Sequence, residues 1–379
     1  MVDFHNVLRK VWERDRKSWA TGALFIFLFV LSLPYGVAVA FRNLLYDIGV
    51  IRQKKLSCKV ISVGNITAGG TGKTPAVIML AKMLKEEGCR PVVLSRGYGG
   101  KRKGDINIVF DGRTILMGNH EAGDEPFLIA ETLKEIPVIT GSRRYLTGSV
   151  AIKEFGADVL VLDDGFQHRG LYRDMDIVLV DYAAPFGNGR LLPCGSLRES
   201  PEALKRADIV ILTGSCPDKK EDISPPLHPF LDEGSQFFCA CHRPLSITGG
   251  KGGESHPPDF LEGKRVFAFA GIGNPLSFIR TIEALHADLA GFLSFPDHHA
   301  FTGGDIETVR RQARKQQADL ILTTEKDGVR LLDFPDFLQE IFLLRIEMSL
   351  IPDGEAFKSL ILSKLKAEAR QDGEKRKQP

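Results

Sequence analysis

Cysteine is scarce in this sequence and does not cluster. Cys58, Cys89, Cys194, Cys216, Cys239 and Cys241 are scattered over 379 residues. That distribution excludes a disulfide-stapled secreted scaffold and suits a reducing compartment. The one close pair lies in "CACH", Cys239–His242, and no second pair at zinc spacing accompanies it. A strand alternating in and out accounts for it. A surplus of one charge is also lacking. The 50 basic against 48 acidic side chains leave a net charge of +2, which makes no case for binding nucleic acid. Internal repeats are absent. No convincing small-residue cleavage site follows the apolar amino-terminal run, which argues against a removed signal peptide. What is there, 43% hydrophobic and 26% charged residues, is ordinary for a folded chain long enough for two domains.

The apolar run itself is "SWATGALFIFLFVLSLPYGVAVAF", Ser18 to Phe41, without a single charge. Arg14, Arg16 and Lys17 precede it and Arg42 follows. It is long enough to cross a bilayer. Pro34 interrupts it, and "VAVAFRNLLYDIGV" beyond is amphipathic. A straight span and a bent interfacial anchor are both open, with a soluble core helix as the bland alternative.

From Cys58 to about Gly214 strands and helices alternate. "RPVVLSRG", "PVIT", "ADVLVLDDG", "DMDIVLVD" and "ADIVILTG" read as short buried strands, with "EPFLIAETLKEI" and "YLTGSVAIKEFG" as helices between some of them. The pattern predicts a parallel sheet covered on both faces. Pro- and Gly-rich material follows, around a strand such as "QFFCACHRPLSI". A second α/β unit comes next, with "KRVFAFAGIGNP", "ADLILTTEKDG", "IFLLRIEM" and a last helix. "GIGNP" lacks the third glycine of a dinucleotide fingerprint.

The strongest local signal is "SVGNITAGGTGKTP", Ser62–Pro75, between the strand "CKVISV" and the helix "PAVIMLAKMLKEEG". Strand, glycine loop and helix are the setting of a phosphate-binding loop. Its N–H groups wrap phosphates, its Lys meets β/γ oxygens and its Thr hydroxyl ligates Mg²⁺. Thr67 stands where the standard pattern has glycine. Thr67, Ala68, Gly69, Gly70, Thr71, Gly72, Lys73 and Thr74 form the candidate nucleotide loop; a Gly-rich turn is the plain alternative.

"ADVLVLDDGFQH" ends a strand in Asp163 and Asp164, candidates with Thr74 for the Mg²⁺ shell, and places Gln167 and His168 in the same loop. Asp124 in "EAGDEPFLIAETL" reads equally as a helix N-cap. "FPDHHAF" puts Asp297, His298 and His299 in what defaults to a surface turn. "GNGRLLPCGSLRES" (Arg190, Arg198, Glu199) and "LSRGYGGKRKGD" (Arg96, Lys101, Arg102, Lys103) are basic loops suited to an anion or simply solvated.

Taken in order, "SVGNITAGGTGKTP", "LSRGYGG", "GDEP", "DDGFQH", "RDMDIVLVD", "GNGRLLPCGSLRE", "FAGIGNP", "FPDHH" and "TTEKDGVRL" resemble the tetraacyldisaccharide 4′-kinases, the lipid A 4′-kinases. The similarity runs from about residue 40 to 350. The variant at Thr67 is normal within that family. Ser196 and Ser200 depart from it where prolines are usual, and 215–264 matches poorly. The resemblance implies a P-loop NTPase-like α/β domain, a second, smaller α/β domain and a hydrophobic membrane-associating amino-terminal helix. The division it implies is a membrane-associating segment 1–50, a P-loop kinase domain 51–214, a linker 215–264, a C-terminal α/β domain 265–366 and a disordered tail 367–379.

It further implies ATP- and Mg²⁺-dependent phosphorylation of the 4′-hydroxyl of a lipid A disaccharide 1-phosphate. The setting would be the cytoplasmic face of a Gram-negative inner membrane, with the membrane surface as partner and no nucleic acid. By similarity Asp124 takes the sugar proton, His298 orients or tunes it, and Lys73 neutralises phosphate charge. Arg96, Arg144, His168, Arg198 and Glu199 line the nucleotide or disaccharide pocket. Two rivals share the loop: a membrane-anchored P-loop ATPase of assembly or targeting, and a non-catalytic nucleotide sensor.

Overall fold

The computed structural model describes residues 12, 19–101, 104–214, 227–232, 234–250, 252–351 and 354–375, the side chains of 19–21 and 367–375 excepted. Arg14, Arg16, Lys17, Ser18, Arg102, Lys103 and Cys216 lie outside them. The strands in chain order are β1 (Lys59–Asn65), β2 (Pro91–Ser95), β3 (Asn107–Phe110), β4 (Val138–Thr140), β5 (Val159–Asp163), β6 (Met175–Asp181), β7 (Ile209–Thr213), β8 (Gln236–Gly249), β9 (Ser255–His256), β10 (Arg265–Ala270), β11 (Asp288–Ser294), β12 (Leu320–Thr324) and β13 (Ile341–Ile351). They form one sheet in the order β11-β10-β12-β13-β8-β7-β6-β1-β5-β2-β4-β3, with β9 on β8. The expected parallel pairing holds from β2 to β8 and from β11 to β13. It reverses at three places, the β3 edge, the β8–β13 pair and the short β9 on β8.

The central β-branched and leucine-rich runs are buried along their whole length, as strands covered on both faces must be. The helix Lys73–Glu86 lays Ala76, Val77, Leu80, Ala81 and Leu84 onto Ile61, Val63 and Val161. These positions recur at i, i+1, i+4, i+5 and i+8, one stripe of a 3.6-residue helix. In the second unit Phe269 is fully buried and packs against Phe295, Phe301 and Phe337.

The registers around β8 decide where a site can form. The first half of β8 runs parallel to β7, with Thr213 beside Ala240. Its second half runs antiparallel to β13, where Leu344 faces Ile247 and Thr324 of β12 faces Leu344. The strands of both units therefore run toward the stretch 241–246 of β8 and its partner 345–349 of β13. Two sets of strand carboxyl ends thus face each other, and those ends are where open α/β sheets bind ligands.

Three boundaries differ from expectation. The segment expected as linker, 215–264, contains β8, which is integral to the sheet. The last helix, Gly354–Lys375, buries Phe357 and Ile361 in the core of the first unit, not the second. It also runs past 366 to Lys375, because "KAEARQ" is built from strong helix formers; 376–379 lie outside the described residues.

The amino-terminal helix is continuous from Trp19 to Asp47 with Pro34 inside it. A proline deletes one ladder bond, which a long apolar helix tolerates. One side of it is tied to the body. Tyr35 Oη donates to the Arg198 carbonyl at 2.9 Å, Asn43 Nδ2 to Glu199 Oε2 at 2.7 Å, and Arg169 to Asp47 Oδ1 at 2.6 Å. The other side is bare: Phe27, Leu33, Val37 and Phe41 are 54–70% exposed. The stretch Gly22–Asp47 is long and apolar enough to cross a membrane. Replacing these four exposed residues with Ser keeps the packed side intact. Fractionation should then find the protein released by salt, whereas the unaltered chain should require detergent. Detergent-dependent release of the Ser variant would rule out this face as the membrane contact.

Candidate active site

The phosphate loop is held from both sides. Ala68 N donates to the Ser196 carbonyl at 2.6 Å, and Thr67 bridges Leu197. Asn65 Nδ2 donates to Thr71 Oγ1 at 2.9 Å, and Thr213 Oγ1 to the Thr71 carbonyl at 3.3 Å. Gly72 caps the following helix in the left-handed region, φ 82°, and a Cβ there would lie 2.9 Å from His242 Nε2. No other residue type fits both demands. Lys73 and Thr74 open the helix, so the loop's N–H groups and the helix N-terminus face one space.

That space is a cavity of about 1100 Å³. Its lining includes Gly69–Thr74, Asp163 and Asp164 from the first unit, Asn274, His298 and Lys326 from the second, and His242 and Met348 from the ribbon between. Asp163 ends β5 and is buried. Ser95 Oγ donates to its Oδ2 at 2.8 Å, while its Oδ1 has no hydrogen-bond partner. Burial, with the Glu125 and Asp164 charges nearby, pushes its carboxyl up to about 6. Such an orphaned, buried oxygen is what a divalent cation would satisfy. Asp164 differs: Arg198 Nη1 donates to both its oxygens at 2.8 Å and Lys73 Nζ lies at 3.7 Å. Burial would raise its carboxyl, but Lys73 and Arg198 outweigh that and lower it. Among the described residues no three His, Cys, Asp or Glu groups converge as a metal cage.

Asp124 does not cap its helix. Gly123 is the N-cap, and the Asp124 carboxylate accepts from Arg330 Nε at 2.7 Å. His298 Nδ1 stands 3.7 Å from the same oxygen. These two residues, 174 positions apart in sequence, are brought together across the cleft. The loop "FPDHHAF" is therefore not a free turn. His298 holds φ 60°, its N–H bonds Asp297 Oδ1 at 3.0 Å, and Tyr98 approaches its ring edge-on at 6.2 Å. His299 serves packing instead, stacked on Phe295 and 3.1 Å from Asp305. The neighbour of Asp124, Glu125, pairs with Lys326 at 2.9 Å.

The remaining candidates separate. Arg96, Arg144, His168 and Arg198 line the cavity. Arg144 is buried and donates to the carbonyls of Gly141 (2.8 Å) and Asp163 (3.1 Å). Burial, reinforced by Arg144, Arg173 and Arg96, holds His168 down to about 4, so it is neutral at physiological pH. Glu199 is not on the lining. It is 1% exposed and is occupied by Asn43, Arg206 at 3.0 Å and Arg42 at 3.6 Å. Sequence reasoning singled out neither Lys326 nor Arg330. Their signal was present in "TTEKDGVRL", which sets two cations one helical turn apart directly after a strand.

The sequence profile described as Tetraacyldisaccharide-1-P 4′-kinase matches residues 24–366. The tetraacyldisaccharide 4′-kinase of Syntrophus aciditrophicus is 46% identical over 371 residues, covering 94% of this chain and 98% of that protein. That of Anaeromyxobacter dehalogenans strain 2CP-C is 40% identical over 327 residues, 86% of each. Among solved structures, the "apo" form of LpxK from Aquifex aeolicus in complex with ATP superimposes with a TM-score of 0.70 at 34% identity, covering 90% of this chain and 99% of that one. The chain belongs to the tetraacyldisaccharide 4′-kinase family.

When Lys73 is lost its partner Asp164 keeps Arg198, so Lys73→Ala should leave the melting temperature nearly unchanged. Phosphoryl transfer should fall by roughly 10²–10³-fold, as when one charge-stabilising group is removed. Near-normal turnover by this variant would remove the phosphate-loop assignment.

Proposed function

We propose that this kinase transfers the γ-phosphate of ATP to the 4′-hydroxyl of tetraacyldisaccharide 1-phosphate, giving lipid IVA, at the cytoplasmic face of the inner membrane. Kinase activity, ATP binding and lipid A biosynthesis are properties of its family. The observation that carries the mechanistic reading is a convergence. One cavity has the phosphate loop on its first wall and His298 and Glu125 on its lining, with Asp124 directly behind them, its Oδ2 3.7 Å from His298 Nδ1.

Phosphoryl transfer asks a protein for positioning and charge neutralisation more than for covalent chemistry. In this reading the loop 67–74 wraps the phosphates and Lys73 balances β/γ charge. Thr74 and Asp163 would hold Mg²⁺, which would offset the negative charge of the phosphates during transfer. Asp164, held by Arg198 and facing Lys73, would complement that site, while the unpartnered Oδ1 of Asp163 is free to take part in it. Asp124 receives the proton of the sugar hydroxyl and His298 orients it. Arg96, Arg144, His168 and Arg198 offer the anionic acceptor and nucleotide a basic, partly dry surface. Glu199 acts at one remove, fastening the loop 190–199 to the amino-terminal helix.

Incubation with γ-labelled ATP and a lipid extract tests the reading: label should appear on a glycolipid, whereas an ATPase would release free phosphate. Asp124→Asn and His298→Ala should each cut turnover by orders of magnitude while ATP binding persists. The double variant should be little worse than the poorer single one, as for residues acting as a unit. An Asp124→Asn enzyme with full turnover would leave the kinase without this base.

A further inference from the structure

We propose that Arg330 is a positioning residue for the transfer, one guanidinium that sets Asp124 and His298 relative to each other across the cleft. The inference rests on the reading of Asp124 as the base. Arg330 is 4% exposed and committed on every nitrogen. Nε donates to Asp124 Oδ2 at 2.7 Å, and Nη2 lies 3.3 Å from His298 Nδ1. Nη1 donates to the Gly271 carbonyl at 2.6 Å and to Asp327 Oδ1 at 3.0 Å. Asp327, fully buried, is itself fixed by Gly271 N at 3.1 Å and Thr324 Oγ1 at 2.8 Å. The fork is thus rooted in the second unit, and its free edge reaches Asp124 on the first.

Two consequences follow from the chemistry of the group. A guanidinium is a planar fork of donors, and here Nε holds Asp124 while Nη2 lies 3.3 Å from His298 Nδ1. The 3.7 Å between Nδ1 and Asp124 is too long for a hydrogen bond, which leaves Arg330 as the link between the two. A lysine has the charge but not the planar fork needed to serve both partners. The second consequence concerns protonation. Burial alone would raise the Asp124 carboxyl; His298 and Arg330 outweigh it and hold it down to about 2. The other charges nearby are Asp297, in the loop that carries His298, and the Lys326–Glu125 pair, with Lys326 also 3.6 Å from Asp297.

The experiment is steady-state kinetics of full-length Arg330→Gln and Arg330→Lys from about pH 5 to pH 9, with melting temperatures, and of Arg330→Gln combined with Asp124→Asn. Arg330→Gln should lower kcat by roughly 10- to 10²-fold, the scale of a misplaced reacting group, with the KM for ATP little changed. An acid limb should enter its profile, because a carboxyl without its opposing charge titrates at higher pH. Arg330→Lys should lose kcat without that limb. In the Asp124→Asn background Arg330→Gln should cost little more. A loss equal at every pH and additive with Asp124→Asn would mark a structural role and overturn the proposal. Wild-type kinetics of Arg330→Gln beside an inactive Asp124→Asn would overturn it while leaving the base reading intact. Full activity of Asp124→Asn would remove both. Should Arg330→Gln fail to fold, with Asp327 left unpaired, Arg330→Lys decides: reduced kcat at normal stability supports the fork, and wild-type kcat overturns it.

Discussion

Everything about the cleft follows from one shared strand. Gln236–Gly249 hydrogen-bonds in parallel to the first unit through its early residues and antiparallel to Ile341–Ile351 through its later ones. Because β13 is parallel to β12, this arrangement turns the second unit's strands head-on toward those of the first. The ligand-binding ends of both sheets therefore meet over the middle of the ribbon, and the cavity lies where they meet. Pro244 and the register shift beside it, at Arg345/Ile346, fall in that same middle. A proline there removes a ladder donor, which strands tolerate at irregularities. The ribbon is thus least regular where neither flanking sheet supports it.

Across the cleft the two units meet by charge as well as by packing, Val329 joining the apolar core of the first unit. The first presents Asp124 and Glu125 at the start of one helix; the second presents Lys326 and Arg330 one turn apart on another. The contacts are 2.7 and 2.9 Å, and Asn119 adds a bond to the Val329 carbonyl at 2.9 Å. Partly buried ion pairs of this kind contribute little net stability once desolvation is counted. Their value lies in geometry: a guanidinium fork accepts few arrangements of its partners. The closed cleft is therefore defined more sharply than it is stabilised. The phosphate loop and the second unit approach backbone to backbone, where a Cβ at Gly273 would come 2.7 Å from Gly70 N.

Local chemistry made the phosphate loop, the strand-end carboxylates and most buried strands of the first unit readable in advance. Their signals are contiguous: a β-branched run, glycines, a lysine at the helix start. Asp124 was ambiguous because an acidic residue ahead of a helix serves equally as a cap; only Gly123 in the capping position and Arg330, 206 residues on, separate the readings. Glu199 shows the same limit. Its loop reads as basic and ligand-facing, yet the carboxylate turns to Asn43 and Arg206, partners that no spacing announces. The edge strand β3 and β11 escaped notice because "NIVF" is short and "DLAGFLS" is only half-buried. Pro34 overstated a break: the helix runs on through it, from Trp19 to Asp47.

These pieces also connect the apolar helix to the phosphate site. Tyr35 holds the Arg198 carbonyl, Arg198 holds Asp164, and Asp164 faces Lys73. Each link is a direct polar contact, so the helix is a wall of the site and not a tether hung from it. An acceptor with acyl chains and a phosphorylated sugar must keep the first in lipid while the second reaches the phosphate loop. Leu192 and Arg198, which lie in the loop 190–199, line the cavity beside Tyr35 and Arg42 of the helix. A helix that is bare and apolar on one side and bonded to that loop on the other meets both demands with one element. A flexible anchor would satisfy only the first. The buried Glu199, bonded to Asn43 of the helix and Arg206 of the body, is what makes the connection stiff.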